Sequence, residues 1–233
     1  MELDQFEQLA RRRRAVRHFQ SKPLPDGLLH RLLDIAHWAP SGYNLQPTHF
    51  MVVTDEAKKA QLCPACMHQP QIQEAPAVVI FTGDRRVVEN NFERIIEHEK
   101  AEGVITEAYE KKLREFVPLA FRQGPLGLNW LWKALIPPVA RWFRPVPSIP
   151  AVHKEYWLTK QVMLTAMQFM LAAEAAGLAT VPMEGFDESR VKRVTGIPPH
   201  LIAPLVLPVG YAVDGELKKT RLPVDEFIHE NRW

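Results

Sequence analysis

The chain has 233 residues, 46% of them hydrophobic and 24% charged, a globular composition with enough length for one substantial core. Its 29 basic and 27 acidic residues leave a formal net charge of +2, too balanced to suggest nucleic acid as a partner. With two cysteines and no charged n-region followed by an apolar h-region, nothing points to secretion or a disulfide framework, and a cytoplasmic protein is expected. The longest apolar run, near Leu126 to Ile136, is interrupted by Asn129 and Lys133, short of the ~20 residues a spanning helix needs.

Taken in chain order, Glu2 to Arg14 reads as an amphipathic helix carrying Leu3, Phe6 and Leu9 and ending in four consecutive arginines. After Pro23 and Pro25, a second helix is expected from Asp26, its N-cap, to Trp38, and Pro40 stops it. His49 to Val53 and Ala77 to Thr82 are β-branched runs typical of buried strands, with a helix from about Glu56 to Leu62 between them. Asp84 to Phe116 is helical and heavily charged, a long surface helix or a pair. Leu158 to Ala176 is apolar around most of its circumference, the mark of a buried helix, and Gly177 closes it. Ala179 to Val181 and Leu205 to Tyr211 add two strands around a short helix near Glu188 to Thr195. Helices and strands without a strict βαβ rhythm argue for an α+β fold in a single domain spanning 1–233.

Four separated segments carry chemistry. Arg13, Arg14, Ala15, Val16 and Arg17 cluster cations where the chain leaves a helix, either a solvated basic end or a site for phosphate and carbonyl oxygens, which guanidinium groups bind bidentately. Ala39 to Pro47, with Pro40, Ser41, Gly42, Asn44 and Gln46, is either an ordinary turn or a loop whose hydroxyl and amide groups suit a planar heterocycle. Pro182, Met183, Glu184 and Gly185 form a sharp turn able to leave backbone N–H groups available to a ligand. Lys218, Lys219, Thr220 and Arg221 place cations around a hydroxyl, either a solvated charge run or a holder for a terminal phosphate.

In order and spacing, Arg-Arg-x-x-Arg, Ala-Pro-Ser-x-x-Asn-x-Gln-Pro, Pro-Met-Glu-Gly-Phe-Asp and Lys-x-Arg resemble the FMN-dependent nitroreductase family over about 8–115 and 152–233. The resemblance implies a mixed central sheet flanked by helices, an intertwined homodimer, and FMN as cofactor with NADPH or NADH as donor. It implies that Arg13, Arg14 and Arg17 embrace the phosphate and the pyrimidine side of FMN. The family usually has Ser at the position of Ala15, where a backbone contact would survive the change and a hydroxyl contact would be lost. Pro40, Ser41, Gly42 and Asn44 would reach the flavin of the other subunit, and Lys219 and Arg221 would complete the phosphate site. Pro182, Met183, Glu184 and Gly185 would pack on the ring, with the Glu184 N–H directed at flavin N5. His68 and Gln71 lie where relatives place polar flavin contacts.

The implied activity is hydride transfer from NAD(P)H through flavin N5 to an electron-poor small molecule, a nitroaromatic or quinone, with no side chain needed as catalytic acid or base. A reductive dehalogenase on the same scaffold and a non-catalytic flavin-storage protein are the alternatives. Cys63-Pro-Ala-Cys66 with His68 has the spacing of a dithiol or half a zinc site, but a second pair is missing, and an incidental surface pair without metal is expected. An insertion at about 117–150 interleaves Trp130, Trp132, Trp142 and Phe143 with Lys133, Arg141 and Arg144. It suits a peripheral membrane contact, a lid over the flavin or an arm clasping the partner.

Overall fold

In the computed structural model the described residues are 2–121, 135, 139–140, 142–143, 145, 153–213 and 219–233. Helix α1 (Leu3–Arg12) leads to α2 (Leu28–His37), β1 (Thr48–Val53) and α3 (Glu56–Leu62), which continues into a 3-10 turn, Cys63–Cys66. A one-turn helix α4 (Gln71–Glu74) precedes β2 (Ala77–Asp84), and then α5 (Val87–Ala101) and α6 (Glu107–Phe121) pair up. The last part holds α7 (Lys154–Ala175), β3 (Ala179–Thr180), α8 (Glu188–Thr195) and β4 (Leu201–Gly210). The strands form one sheet in the order β1-β2-β4-β3 with every neighbouring pair antiparallel. Among the described residues its parallel component is the bridge between Ala15 and Thr180. The α+β class stands.

Strand β2 is buried along its whole length because both faces of the sheet are covered. Val78 and Ile80 face a cluster with Leu62, Cys66, Ile72 and Val191, from α3, the 3-10 turn, α4 and α8. Ala77, Val79 and Phe81 face the other way, onto Leu32 and Ala36 of α2 and Val162, Ala166 and Phe169 of α7. Each fully buried side chain of this size contributes about 1.5–3 kcal/mol by leaving water. A satellite cluster joins α5 and α6 through Phe92, Ile96, Leu113 and Phe121 to Leu45, with Trp157 packed against it.

Several boundaries differ from the sequence reading, each for a tertiary reason. Helix α1 stops at Arg12 because the chain beyond it is drawn to the sheet edge, where the Val16 N–H donates to the Thr180 carbonyl at 3.1 Å. Gly27, at φ +76°, caps α2 in place of Asp26, and the Leu28 N–H is satisfied by the Pro25 carbonyl at 3.1 Å. Strand β4 begins at Leu201 and runs through Pro204, which the ladder tolerates because the β2–β4 register shifts between Phe81 and Gly83. The charged stretch after Asp84 is a helix pair, and Phe121 closes α6 in the satellite core, past the expected start of the insertion. Trp130, Trp132, Lys133, Arg141 and Arg144 lie outside the described residues, whereas Trp142 and Phe143 are described and exposed.

Candidate active site

Residues 13–19 form an extended ribbon along the sheet edge. Ala15 bridges Thr180, Phe19 bridges Ala212, and the Val213 N–H donates to the His18 carbonyl at 3.1 Å. The ribbon leaves Arg13 and Arg14 half-buried and Ala15 and Arg17 exposed. Lys219 joins them from the far end of the sequence, its Nζ donating to the carbonyls of Ala10, Arg11 and Arg13 at 3.2, 3.1 and 2.6 Å. An ammonium there answers the negative end of the α1 dipole. Partial desolvation and the nearby charges of Arg13 and Arg221 hold the Lys219 ammonium below its ordinary 10.5, with Glu174 pulling the other way. Glu174 in turn accepts from Arg12 Nε at 2.6 Å. The charges of Arg13 and Arg221 lie close enough for Lys219 to feel them, and Arg14 and Lys219 line a groove of about 660 Å3. Excess positive charge with depressed proton affinity is the electrostatic state that an anion relieves.

The second element is the turn at Pro182, Met183, Glu184 and Gly185. Met183 is buried and exchanges both backbone hydrogen bonds with Val206, at 2.9 and 3.1 Å, so the turn starts from the sheet. It returns through the Asp187 N–H, which donates to Ala65 O at 2.8 Å while the Asp187 carboxylate caps α8. Between these anchors Pro182, Glu184 and Gly185 are exposed, and the Glu184 and Gly185 N–H groups donate to no acceptor among the described residues. Gln71 is buried beneath them, donating to Gln69 Oε1 at 2.8 Å and touching Met183 Sδ at 3.6 Å. Gln69, which the sequence reading passed over, donates from Nε2 to the Gly185 carbonyl at 3.1 Å. His68 is exposed beside it, in a left-handed conformation shared with Met67.

The loop at Pro40, Ser41, Gly42 and Asn44 sits elsewhere. Tyr43, Asn44 and Gln46 have φ of 56°, 52° and 49°, a left-handed run that costs about 1–3 kcal/mol per residue and persists only when its surroundings impose it. The constraints are visible. Gln161 Oε1, on buried α7, accepts from the Gly42 N–H at 2.8 Å, and Ser41 Oγ accepts from the Gln46 N–H at 3.0 Å. Asn44 Nδ2 donates to Glu99 at 2.8 Å, and Asn91 Nδ2 donates to the Leu45 and Gln46 carbonyls. Gly42 is a tight fit, since a Cβ there would lie 3.1 Å from the Trp157 ring, which would have to give by a few tenths of an ångström. Gln161 and Glu174 mark where α7 meets the loop and the cation patch, and at the helical rise those positions are roughly 20 Å apart.

Cys63 and Cys66 are not a surface pair. Both are free and buried, packed in the cluster that holds Leu62 and Ile72. Burial and then the neighbouring Cys63 push the Cys66 thiol up to about 12, and burial raises Cys63 as well. Thiols so disfavoured as thiolates are poor nucleophiles and ligands. Among the described residues no group of His, Cys, Asp or Glu could hold a metal ion, and no helix is long and apolar enough to cross a membrane.

The model of the nitroreductase family matches residues 10–211, and the chain belongs to that family of oxidoreductases. It is 28% identical over 219 residues, 94% of this chain and 92% of the relative, to an NADH dehydrogenase of Thermus thermophilus. A nitroreductase-like protein of Streptococcus mutans, 26% identical, superposes with a TM-score of 0.77 over 98% of each chain. A protein of Exiguobacterium sibiricum solved in complex with FMN, 23% identical, has the same fold with a TM-score of 0.72 over 96% of each chain.

Proposed function

We propose that this chain binds FMN and, as a homodimer, passes electrons from NADPH or NADH to an electron-poor small molecule such as a quinone or nitroaromatic. The observation that carries the reading is a pairing: Lys219, docked on the Arg13 carbonyl, lies within reach of the charges of Arg13 and Arg221, and a turn of the same chain leaves two adjacent amides unused. A phosphate dianion answers the first, and the carbonyl and N5 edge of a flavin answers the second. The family supplies the cofactor class, and the relatives named above include one solved with FMN and one named an NADH dehydrogenase.

Bound FMN would supply the two-electron chemistry. Around it, Arg13 and Arg221 would hold the phosphate and Lys219, its own donors on the Ala10, Arg11 and Arg13 carbonyls, would add charge, with Arg14, Arg17 and the Ala15 backbone along the same ribbon. The unused Glu184 and Gly185 amides, held in place by the sheet and α8, would be the donors offered to the N5 and carbonyl edge of the ring. Exposed Pro182 and Gly185 would give the ring a surface to pack on with exposed His68 beside them, while buried Met183 and Gln71 support the turn from beneath. Pro40, Ser41, Gly42 and Asn44 complete the pocket of the partner subunit. The separation of roughly 20 Å along α7 between that loop and the cation patch favours this arrangement.

Two copies are favoured by the terminal segment too: residues 221–233 are exposed throughout, with Leu222, Val224, Phe227 and Ile228 each more than half open to solvent. Such a strip needs a cover, and a second copy provides one. Two free thiols suit a reducing compartment, and we assign the protein to the cytoplasm. Steady-state turnover of NADPH or NADH with a quinone or nitroaromatic tests the activity. Parallel double-reciprocal lines, as donor and acceptor take turns in one pocket, are expected. A yellow protein inert to both donors would instead be a storage protein.

A further inference from the structure

Helix α5 segregates its charges. Asn91, Arg94 and His98 share the face that borders a groove of about 330 Å3, whereas Glu93 pairs with Arg114 of α6 and Glu99 takes the Asn44 amide. His49, on the edge strand β1, and His37, the last residue of α2, line the same groove from the other side. It lies on the loop side of the molecule. Gln46 and Thr48 border it, and Thr48 Oγ1 is 3.2 Å from Thr165 Oγ1, roughly 14 Å along α7 from Glu174, which lines the groove of Arg14 and Lys219.

No carboxylate lines this groove, and the side chains of His37, His49, Arg94 and His98 have no hydrogen-bond or ionic partner among the described residues. The amides beside them are committed: Asn91 Nδ2 donates to the Leu45 and Gln46 carbonyls, and Gln46 Nε2 to Asn44 Oδ1. What remains is a set of basic side chains from α2, β1 and α5, each a donor, the guanidinium with five N–H groups and every imidazole with at least one. The histidines are not grouped to hold a metal ion. The ligand that answers such a set carries several acceptor oxygens, and a phosphate group, which guanidinium matches bidentately, satisfies more of these donors than a carboxylate does.

We propose that this groove binds the phosphate group of a small molecule, with Arg94 as the charged anchor and His37, His49 and His98 as donors around it. The site is independent of the FMN reading. Two sources share this chemistry: the 2′-phosphate that distinguishes NADPH from NADH, and a separate phosphate ester.

The test is a titration of inorganic phosphate into protein saturated with FMN, followed by phosphorus NMR line broadening at constant ionic strength. A saturable site is expected, weakened about tenfold or more by Arg94→Gln, with a smaller loss in His98→Gln. Both side chains are exposed and unpartnered, so both variants should keep the fold. Absence of saturable binding, or equal affinity in the wild type and Arg94→Gln, overturns the proposal. Steady-state kinetics then separate the sources. If the 2′-phosphate is the ligand, Arg94→Gln raises KM for NADPH and leaves KM for NADH; with a separate ester both KM values hold while phosphate affinity falls. Protein that takes up no flavin overturns the FMN reading alone, and the groove is still judged by whether Arg94→Gln removes a phosphate site.

Discussion

The turn at Pro182–Gly185 and the loop at Ser41–Gln46 are both assigned to the flavin, and they are built in opposite ways. The turn is suspended between sheet and α8, with its carbonyl held by Gln69 and two amides left over. The loop spends four of its amides on its own shape: Gly42 donates to Gln161 of α7, Asn44 to Ser41 O, Leu45 to Gly42 O and Gln46 to Ser41 Oγ. One region therefore supplies directed donors and the other supplies a rigid shape. A site assembled from both can tune charge on one side and exclude water on the other without either segment having to move.

The largest effect should come from stripping the charge beside the donor side. Arg13→Ala combined with Arg221→Ala removes two charge-assisted contacts worth about 1.5–3 kcal/mol each, so FMN affinity should fall by at least about 100-fold in a fluorescence titration while the melting temperature stays near the wild-type value. Unchanged affinity would break the assignment of the phosphate. On the shape side, Gln161→Leu orphans the Gly42 N–H and should cost about 1–3 kcal/mol in urea unfolding, with a smaller loss of FMN affinity. If FMN affinity fell as far as in the double arginine variant, the division between the two regions would fail. Gly42→Ala pushes a methyl toward the Trp157 ring and should destabilise by about 1 kcal/mol, the low end for overpacking.

The smallest effect concerns the thiols, which neither region uses. Their folded-state pKa values lie above the unfolded 9.0, so the native state retains protons the unfolded chain gives up. Their contribution is complete below pH 9 and declines as pH rises toward about 12 for Cys66. Cys66→Ala should flatten the alkaline fall in stability, followed by denaturant melts from pH 8 to 11, and leave turnover unchanged. Loss of turnover would restore the dithiol reading.

What the sequence made legible follows from how local each signal is. Helices α3 and α8 appear at the expected residues because Asp55 and Asp187 cap them with side-chain bonds to the N–H three residues on. Gly177, at φ +74°, closes α7 as the pattern implied. The family was legible because four short segments, each weak alone, follow one another in the expected order and spacing. Gln69 and Gln161 were not, since a glutamine becomes informative only when the fold sets a carbonyl or amide opposite it. Cys63 and Cys66 looked superficial because CxxC spacing says nothing of the Leu62 and Ile72 packing around them. The Asp26 cap failed because a proline turn had already satisfied the amide it would have served.

The most direct measurement is an anaerobic absorbance spectrum of the purified protein, before and after NADPH and, separately, NADH. Flavin bands that bleach with at least one donor are the expected result. A protein that stays colourless after FMN is added back would contradict the central claim, leaving the cations of Arg13, Lys219 and Arg221 without the phosphate assigned to them.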